Sequence, residues 1–314
     1  MKRIALAPVV ALALVLPAAT VFAEQPAAYT VVETGRNYER LQDAVDAIGA
    51  GTGTIRFASF AFADCAVQSD GDILYTAAQP GEAVLDGKAC EGKAALVLRG
   101  RNARVEGLVF ANIKVPDWNG AGIRLERGNL AVSQSWFRDS QQGILAGEDP
   151  SATITIDKST FTRLGTCEGS GGCAHSVYIG EDAALTVTRS RFEAGRGGHY
   201  LKSRSTRITV LDSSFDDSAG RSTNYMIDLS NGATGRIAGN WFVQGKNKDN
   251  HSALITVAPE GKENTSNGLV IEGNDARMVP GASFSSTFVA DWSGDRPVVG
   301  ANVLGVGLTR YEQR

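Results

Sequence analysis

The chain has 314 residues, with 31 lysines and arginines against 34 aspartates and glutamates, and a formal net charge of −3. This weak acidic excess argues against nucleic acid as a main partner, because binding to phosphate backbones depends on a basic surface. The 36 glycines and nine prolines suit many short strands joined by turns.

The N-terminus has the pattern of a secretory signal. Basic Met1-Lys2-Arg3 precedes an apolar run from Ile4 to Ala23, which Pro8 and Pro17 interrupt. Val21-Phe22-Ala23 places small residues where a signal peptidase cleaves, so we predict a signal peptide over residues 1–23 rather than a membrane anchor. We expect a periplasmic or secreted protein with no membrane span after the signal is removed.

Residues 24–53 are predicted to form an extended stretch and a short helix that caps the fold. The helix is predicted over Asn37–Ile48, with Asn37 as its N-cap and Gly49 at its end. Its apolar residues recur on one face. A repeat protein needs such a cap over the open core of its first repeat.

From residue 54 onward the sequence repeats every 25 or so residues. Phenylalanines recur at steps of 23 to 31 residues, and we expect them to stack inside: Phe110, Phe137, Phe161, Phe192, Phe215 and Phe242. Two residues earlier lies a small polar column: Ser135, Ser159, Ser190, Ser213 and Asn240. A second set of similar short segments, one per repeat, begins at His175, His199, Asn224 and His251. Such columns are typical of stacked coils.

We expect these segments that begin at the histidines to be strands, and the alternation of side chains along a strand predicts which of them face the core. Leu201 and Ser203 should point inward, as should Asp228. Tyr178, Lys202, Ile227 and Leu254 should point outward. The histidine column shares the inward parity, at the mouth of the core or on the turn.

The motifs Gly198-His-Tyr-Leu-Lys-Ser-Arg204 and Tyr225-Met-Ile-Asp-Leu-Ser-Asn-Gly232 resemble a group of exported bacterial β-helix-repeat proteins in the pectate-lyase-like superfamily. The resemblance implies an all-β fold, a single right-handed parallel β-helix. We expect roughly ten coils over residues 54–281 and a C-terminal cap over residues 282–314. The resemblance implies no particular activity, since this group of proteins has no settled one.

The four cysteines of an exported chain predict two disulfides. Cys65 and Cys90 are 25 residues apart, one coil, so they suit adjacent rungs. Cys167 and Cys173 bracket a glycine-rich loop that a bridge would hold. Zinc binding by this second pair with His175 is the alternative, although typical zinc spacings are tighter.

A polysaccharide-binding track is the first candidate site. Its predicted substrate-binding residues are Tyr178, Tyr200, Tyr225, Arg124 and Arg221. Tyrosine rings stack on sugars, and cations pair with uronate carboxylates. The alternative is an ordinary solvated face with surface tyrosines.

Lys202-Ser203 is also similar to the strand–Lys-Ser setting of alginate lyases and chondroitinase B in polysaccharide lyase family six. This similarity implies that Lys202 is catalytic in β-elimination, which needs a base and a cation for the carboxylate. The family's arginine one coil later is missing after Ile227, and Arg204 or Arg221 are the candidate substitutes. No clear acidic calcium cluster is present, so we expect no cofactor, with calcium the one open possibility.

His199 and Asp228 complete the candidate catalytic set. Histidine titrates near neutrality and could act as the base beside Lys202. The alternative is a polar ladder in which each imidazole bonds to the next rung. Asp228 is either a structural acceptor or an acid with a raised pKa.

The leading hypothesis is an exported carbohydrate-active β-helix protein that binds, and could cleave or epimerise, an acidic polysaccharide. The second is a non-catalytic structural or adhesive envelope protein. The third is a metal-binding module built on the three histidines, although no metal ligands are assigned. The sequence leaves the oligomeric state open.

Overall fold

A computed structural model of the chain describes residues 1, 2, 4, 27–169 and 171–314. Most of the predicted signal peptide lies outside the described residues. Three long sheets wind around a common core and form a β-solenoid of about nine turns. The prediction of a single all-β coil stack with one short helix near its N-terminus is confirmed.

Each coil contributes one strand to each sheet in turn. The first sheet contains Tyr29–Val31, Arg36–Tyr38, Thr52–Phe57, Asp72–Ala77, Asn102–Glu106, Asn129–Ser133, Thr153–Asp157, Ala184–Thr188, Arg207–Leu211, Thr234–Ala238, Val270–Glu272 and Val298–Val299. The second contains Ala61–Phe62, Ala83–Asp86, Leu108–Ala111, Trp136–Arg138, Thr160–Thr162, Arg191–Glu193, Ser214–Asp216, Trp241–Gln244, Asp275–Met278 and Val303–Leu304. The third contains Ala66–Gln68, Ala94–Leu98, Ala121–Leu125, Gln142–Ala146, Val177–Ile179, Leu201–Ser203, Ile227–Leu229, Ala253–Val257, Ser286–Asp291 and Leu308–Gln313.

The N-terminal helix spans Leu41–Ile48 and covers the first coil. Its buried face is Leu41, Ala44 and Val45. The predicted N-cap was wrong, because Asn37 lies in the antiparallel strand Arg36–Tyr38. The first free amide of the helix, that of Leu41, instead donates to Asp64 Oδ2 at 2.7 Å. A carboxylate from the coil below thus satisfies the positive end of the helix.

The phenylalanine column is confirmed as the central feature of the core. The six rings are fully buried. Successive centroids lie 4.7–5.1 Å apart and successive planes are within 9° of parallel. The spacing of the stack is set by the distance between adjacent parallel strands, about 4.8 Å.

The small polar column forms a hydrogen-bonded ladder beside these rings. In each rung the side-chain oxygen accepts the backbone N–H of the equivalent residue one coil earlier, at 2.9–3.3 Å. The ladder continues beyond Asn240 through Asn274 to Asn302. It satisfies backbone amides at the turn between the first and second sheets, where no strand partner is available.

The last coils depart from the repeat without ending it. Ala276 stands where the next phenylalanine was expected, and Phe288 from the third sheet packs edge-on against Phe242 instead, at 5.8 Å. Residues 282–314, expected to form a C-terminal cap, supply the final strands of all three sheets.

Both predicted disulfides are present. Cys65–Cys90 has a Cα–Cα distance of 5.5 Å and Cys167–Cys173 one of 4.1 Å. The second bridge closes a loop beside the third sheet. Among the described residues, no helix is long and apolar enough to cross a membrane.

Candidate functional site

The outer face of the third sheet carries a column of unlike polar side chains. Strand register places Tyr178, Lys202, Asp228 and Thr256 directly beneath one another. The predicted orientation of Asp228 was therefore wrong, because it lies outward with Lys202. Ile227 points inward beside Leu201, one residue out of the predicted parity. Leu254, also expected outside, is fully buried in the core.

Two other predicted site residues lie away from this column. Tyr200 precedes its strand and turns inward, where it is 1% exposed. Its hydroxyl donates to buried Asp217 at 2.6 Å and accepts the Gly195 amide at 2.9 Å. The prediction that Tyr200 faces the ligand was wrong, since alternation holds only within the strand. Arg221 is exposed on a turn and does not line the cleft that contains Lys202.

The Lys202 ammonium lies between two carboxylates. Its Nζ is 3.3 Å from Asp228 Oδ2 and also contacts Glu260 Oε1. The side chain is only 8% exposed, so Lys202 is not the solvent-exposed cation that the sequence suggested. An ammonium has no lone pair, so in this arrangement Lys202 supplies positive charge and not a base.

Arg204 extends the same ionic cluster. Its guanidinium contacts Glu260 Oε2 and Asn231 Oδ1, and its Nε donates to the Tyr178 hydroxyl at 2.9 Å. The Lys202 Nζ lies 5.8 Å from the centre of the Tyr178 ring, within cation–π range. Because the Tyr178 oxygen accepts from Arg204, its own proton remains free to donate to a ligand.

Glu260 joins the two cations and was not predicted as a site residue. It bridges Lys202 and Arg204 from a position more than two coils later in the chain. Burial opposes its ionisation, but the hydrogen bonds and charges of Lys202 and Arg204 outweigh this and lower its pKa. Only the pairing of distant coils reveals this residue, which carries no local signal beyond its adjacent glycine.

His175 and His199 form two rungs of a stack that begins the strands of this face. Their rings lie 4.9 Å apart, and Tyr225 continues the stack 5.4 Å from His199. The predicted alignment of His251 was wrong, because it is exposed and packs on Phe284 instead. Ile227 pairs with Ile255, which moves His251 out of the column.

The imidazoles are neutral and already partly bonded. The His175 Nδ1 accepts the His199 amide at 3.0 Å, and the His199 Nδ1 accepts the Tyr225 amide at 3.2 Å. Burial, reinforced by the charge of Lys202, lowers the pKa of His199 to about 3. Burial and the neighbouring His199 also lower the pKa of His175 well below its usual value. With each Nδ1 acting as an acceptor, each neutral ring carries its proton on Nε2.

Asp228 is the most enclosed acid of the site. It is 1% exposed and accepts hydroxyl protons from Ser230 and Thr256, each at 2.9 Å. The His199 Nε2 is 3.5 Å away from its Oδ2. A buried carboxylate with this many donors is well suited to hold Lys202 and His199 in place.

These side chains line an open cleft of about 580 Å³ on the third sheet. Arg124, Tyr178, His175, His199, Lys202, Arg204 and Glu260 contribute to its lining. Asp117 and Asn119 form part of one wall, and the loop closed by Cys167–Cys173 contributes Gly171, Gly172 and Cys173 to another. The cleft is therefore rich in cations and hydrogen-bonding groups on a flat parallel sheet.

Across residues 27–169 and 171–314, no group of three or more His, Cys, Asp and Glu side chains is arranged to hold a metal ion. The two cysteines near His175 are joined to each other.

Comparison with known proteins gives a fold relationship. No family model matches the sequence, and no curated protein matches it. An alginate lyase from a Paenibacillus species has a similar structure, with a TM-score of 0.54 and 14% sequence identity over 86% of this chain and 96% of that one. The catalytic unit of an α-1,3-glucanase from Streptomyces thermodiastaticus covers 86% of this chain and 65% of its own, with 11% identity and a TM-score of 0.28. At 14% identity, the likeness to the alginate lyase establishes a shared fold and no more.

Proposed function

We propose that this chain is an exported, carbohydrate-active β-helix protein that binds an acidic polysaccharide in the third-sheet cleft. The supporting observation is that Arg124, Lys202 and Arg204 line one open cleft together with the Tyr178 ring. Guanidinium and ammonium groups form charge-assisted hydrogen bonds with carboxylates. A uronate polymer laid along the sheet would offer carboxylates to these cations and a sugar face to the tyrosine.

The same geometry argues against His199 or Lys202 acting as the base of a lyase or epimerase. Proton abstraction at C5 of a uronate needs a group with a free lone pair within reach of the sugar. The Nδ1 atoms of His175 and His199 are occupied by backbone amides. Lys202 is held by two carboxylates, so a lyase or epimerase would first have to open the Lys202–Glu260 contact.

A panel of polymers tests this proposal. Purified protein is titrated calorimetrically with alginate, polygalacturonate, glucuronan and glycosaminoglycans, and with a neutral glucan as the uncharged comparison. Saturable binding to at least one acidic polymer, weakened by salt and absent for the glucan, is expected. Growth of ultraviolet absorbance from an unsaturated product would show elimination, and absence of binding to every acidic polymer would favour the structural or adhesive alternative.

A matched pair of variants locates the binding. Arg204→Gln removes a cation from the cleft, whereas Arg236→Gln removes an exposed, ion-paired cation from the first sheet. We expect about a tenfold loss of affinity for Arg204→Gln and none for Arg236→Gln. Equal affinity of both folded variants would place the glycan elsewhere.

A further inference from the structure

The cleft has a third cation, Arg124, at the end away from Lys202 and Arg204. The strand register runs from Arg124 through Leu145 and Tyr178 to Lys202. Three strand spacings separate the two cations, roughly 14 Å at about 4.8 Å per strand. The backbone positions of Arg124 and Lys202 therefore mark two different ends of the cleft.

The two ends also differ in how well their cations are satisfied. Lys202 and Arg204 share Glu260. Among the described residues the Nε of Arg124 is buried and has no hydrogen-bond partner. The carboxylate nearest to Arg124 is that of Glu126, at 3.8 Å.

Glu126 itself is committed to other cations. Lys93 holds it at 2.7 Å and Arg99 at 2.6 Å. Burial raises the pKa of Glu126, but its hydrogen bonds to Lys93 and Arg99 outweigh burial and lower it. The carboxylate charge beside Arg124 is therefore already neutralised, which leaves Arg124 able to take an external anion.

A second unpaired group lies on the neighbouring strand at this end. Gln142 begins the strand that pairs with the strand of Arg124, and it is 1% exposed. Its Nε2 donates to Asn119 Oδ1 at 2.9 Å, while its Oε1 is buried without a partner in the described structure. Gln142, Asn119 and Arg124 all line the cleft. The buried Gln142 oxygen and the buried Arg124 Nε each lack a partner in the described structure, and each is costly unless a ligand or water satisfies it.

The floor between the two cationic ends is suited to sugar rings. Leu145 and Tyr178 occupy the two rungs between Arg124 and Lys202. Leu145 is 7% exposed, and Tyr178 presents its ring beneath Lys202. The apolar faces of sugars pack on such side chains, while their polar substituents reach the groups at each end.

We propose that Arg124 and Gln142 form a second carboxylate-binding subsite, so that the cleft takes an acidic oligosaccharide long enough to reach both cationic ends. Arg124 contacts a uronate carboxylate, and the Gln142 oxygen accepts from a sugar hydroxyl. This inference rests on the proposed function and specifies its ligand: an extended oligouronate and not a single uronic acid. A residue that contributes only at the distal end should matter only for ligands that reach it.

A ligand-length series tests this subsite. Affinities of the parent protein, Arg124→Gln and Arg124→Lys are measured by calorimetry for uronic acid monomers and successively longer oligomers of a polymer that the parent binds. The shortest ligands should bind all three proteins alike. Beyond a threshold length, the parent should gain affinity that Arg124→Gln lacks, about tenfold. Arg124→Lys should recover part of it, because it keeps the charge and loses the planar fork.

Arg104→Gln is the matched control, because Arg104 is an exposed arginine of the same coil on the first sheet. It should follow the parent at every length. A uniform loss for Arg124→Gln at all lengths, or no loss at any length in a variant with the parent's melting temperature, would overturn the distal subsite while leaving the proposed function intact. Absence of binding by the parent to any acidic oligomer or polymer would overturn both.

Discussion

Two columns that run through the same coils show opposite uses of one repeat. The inner column returns a phenylalanine at each coil from Phe110 to Phe242, and its rings lie nearly parallel. The outer column of the third sheet reads Tyr178, Lys202, Asp228 and Thr256, with no residue repeated. Both columns have the spacing of adjacent strands, so the backbone geometry is the same and only the side chains differ.

This difference separates stability from binding. Identical apolar rings stack well against one another, and each rung adds buried area without requiring a charge partner. Polar groups of opposite charge on adjacent rungs can form an ion pair, as Lys202 does with Asp228. A site can therefore form on the coil stack where the repeat is broken, with the regular core left intact beneath it.

A second lysine shows what happens when the pairing is fully enclosed. The Lys248 Nζ lies 3.1 Å from Asp217 Oδ2, with both side chains at most 1% exposed. Burial lowers the pKa of Lys248, and Asp217 only partly offsets it. This pair ties turns together inside the fold. Lys202, by contrast, keeps one carboxylate partner at the cleft surface.

The largest expected effect is on the inner column. Phe192→Ala should lower the free energy of unfolding by about 3–5 kcal/mol, because its ring is lost from between two stacked neighbours and a cavity remains. Chemical denaturation measures this. Phe60→Ala, at a ring that is 40% exposed, is the control and should cost far less. Equal effects for the two variants would contradict the structural role of the stack.

The next effect tests whether the outer column also contributes to stability. An outward-pointing Lys202, as the sequence predicted, could be removed at little cost in stability if it were exposed; its buried contact with Asp228 predicts otherwise. Lys202→Met should cost about 3 kcal/mol, because it leaves a buried carboxylate without its cation. The double variant Lys202→Met/Asp228→Leu should regain part of this in thermal and denaturant unfolding. A melting temperature unaffected by Lys202→Met would refute the buried ion pair.

A smaller effect should appear as a pH dependence of the same face. The pKa of His199 is about 3 in the folded chain and near its ordinary value of 6.5 when unfolded. Between these pH values His199 binds a proton in the unfolded chain but not in the folded chain, so the free energy of unfolding falls as the pH drops from about 6.5 towards 3. Over about the first 1.5 pH units of this range, down to about pH 5, His199→Gln should remove about 2 kcal/mol of this fall.

Denaturant unfolding measured across that pH range checks the prediction. His251→Gln is the control, because His251 is exposed and its loss should leave the pH profile unchanged. The His199→Gln variant should still lose some stability as the pH falls, because the pKa of His175 is also lowered by burial. Identical slopes in the parent and His199→Gln would show that His199 does not resist protonation.

The smallest expected effect concerns affinity. Glu260 occupies Lys202 and Arg204 in the free protein, so a ligand carboxylate must compete with it. Glu260→Gln should strengthen binding of an acidic glycan about fivefold by removing that competitor. Glu272→Gln, at the ion pair with Arg236 on the first sheet, should have no effect. Weaker binding by Glu260→Gln would mean that Glu260 contacts the ligand directly.

The sequence by itself determined the repeat and the features that depend on it. Returning phenylalanines and small polar residues predicted the coil stack and the aromatic core. The one-coil interval between Cys65 and Cys90 predicted their bridge, and the loop between Cys167 and Cys173 predicted theirs. Periodicity of this kind is recorded directly in the order of residues.

Tertiary structure decided the register and the partners at the candidate site. Coils of unequal length hide where a strand begins, and a slip of one residue exchanges the two faces. Asp228 faces outward and Ile227 inward, the reverse of the prediction, and Tyr200 does not lie on the outer face because it precedes its strand. Glu260 reaches Lys202 from a distant coil, which no local pattern could show. The electrostatics of the cleft therefore come from the pairing of coils, because ion pairs depend on distance in space and not along the chain.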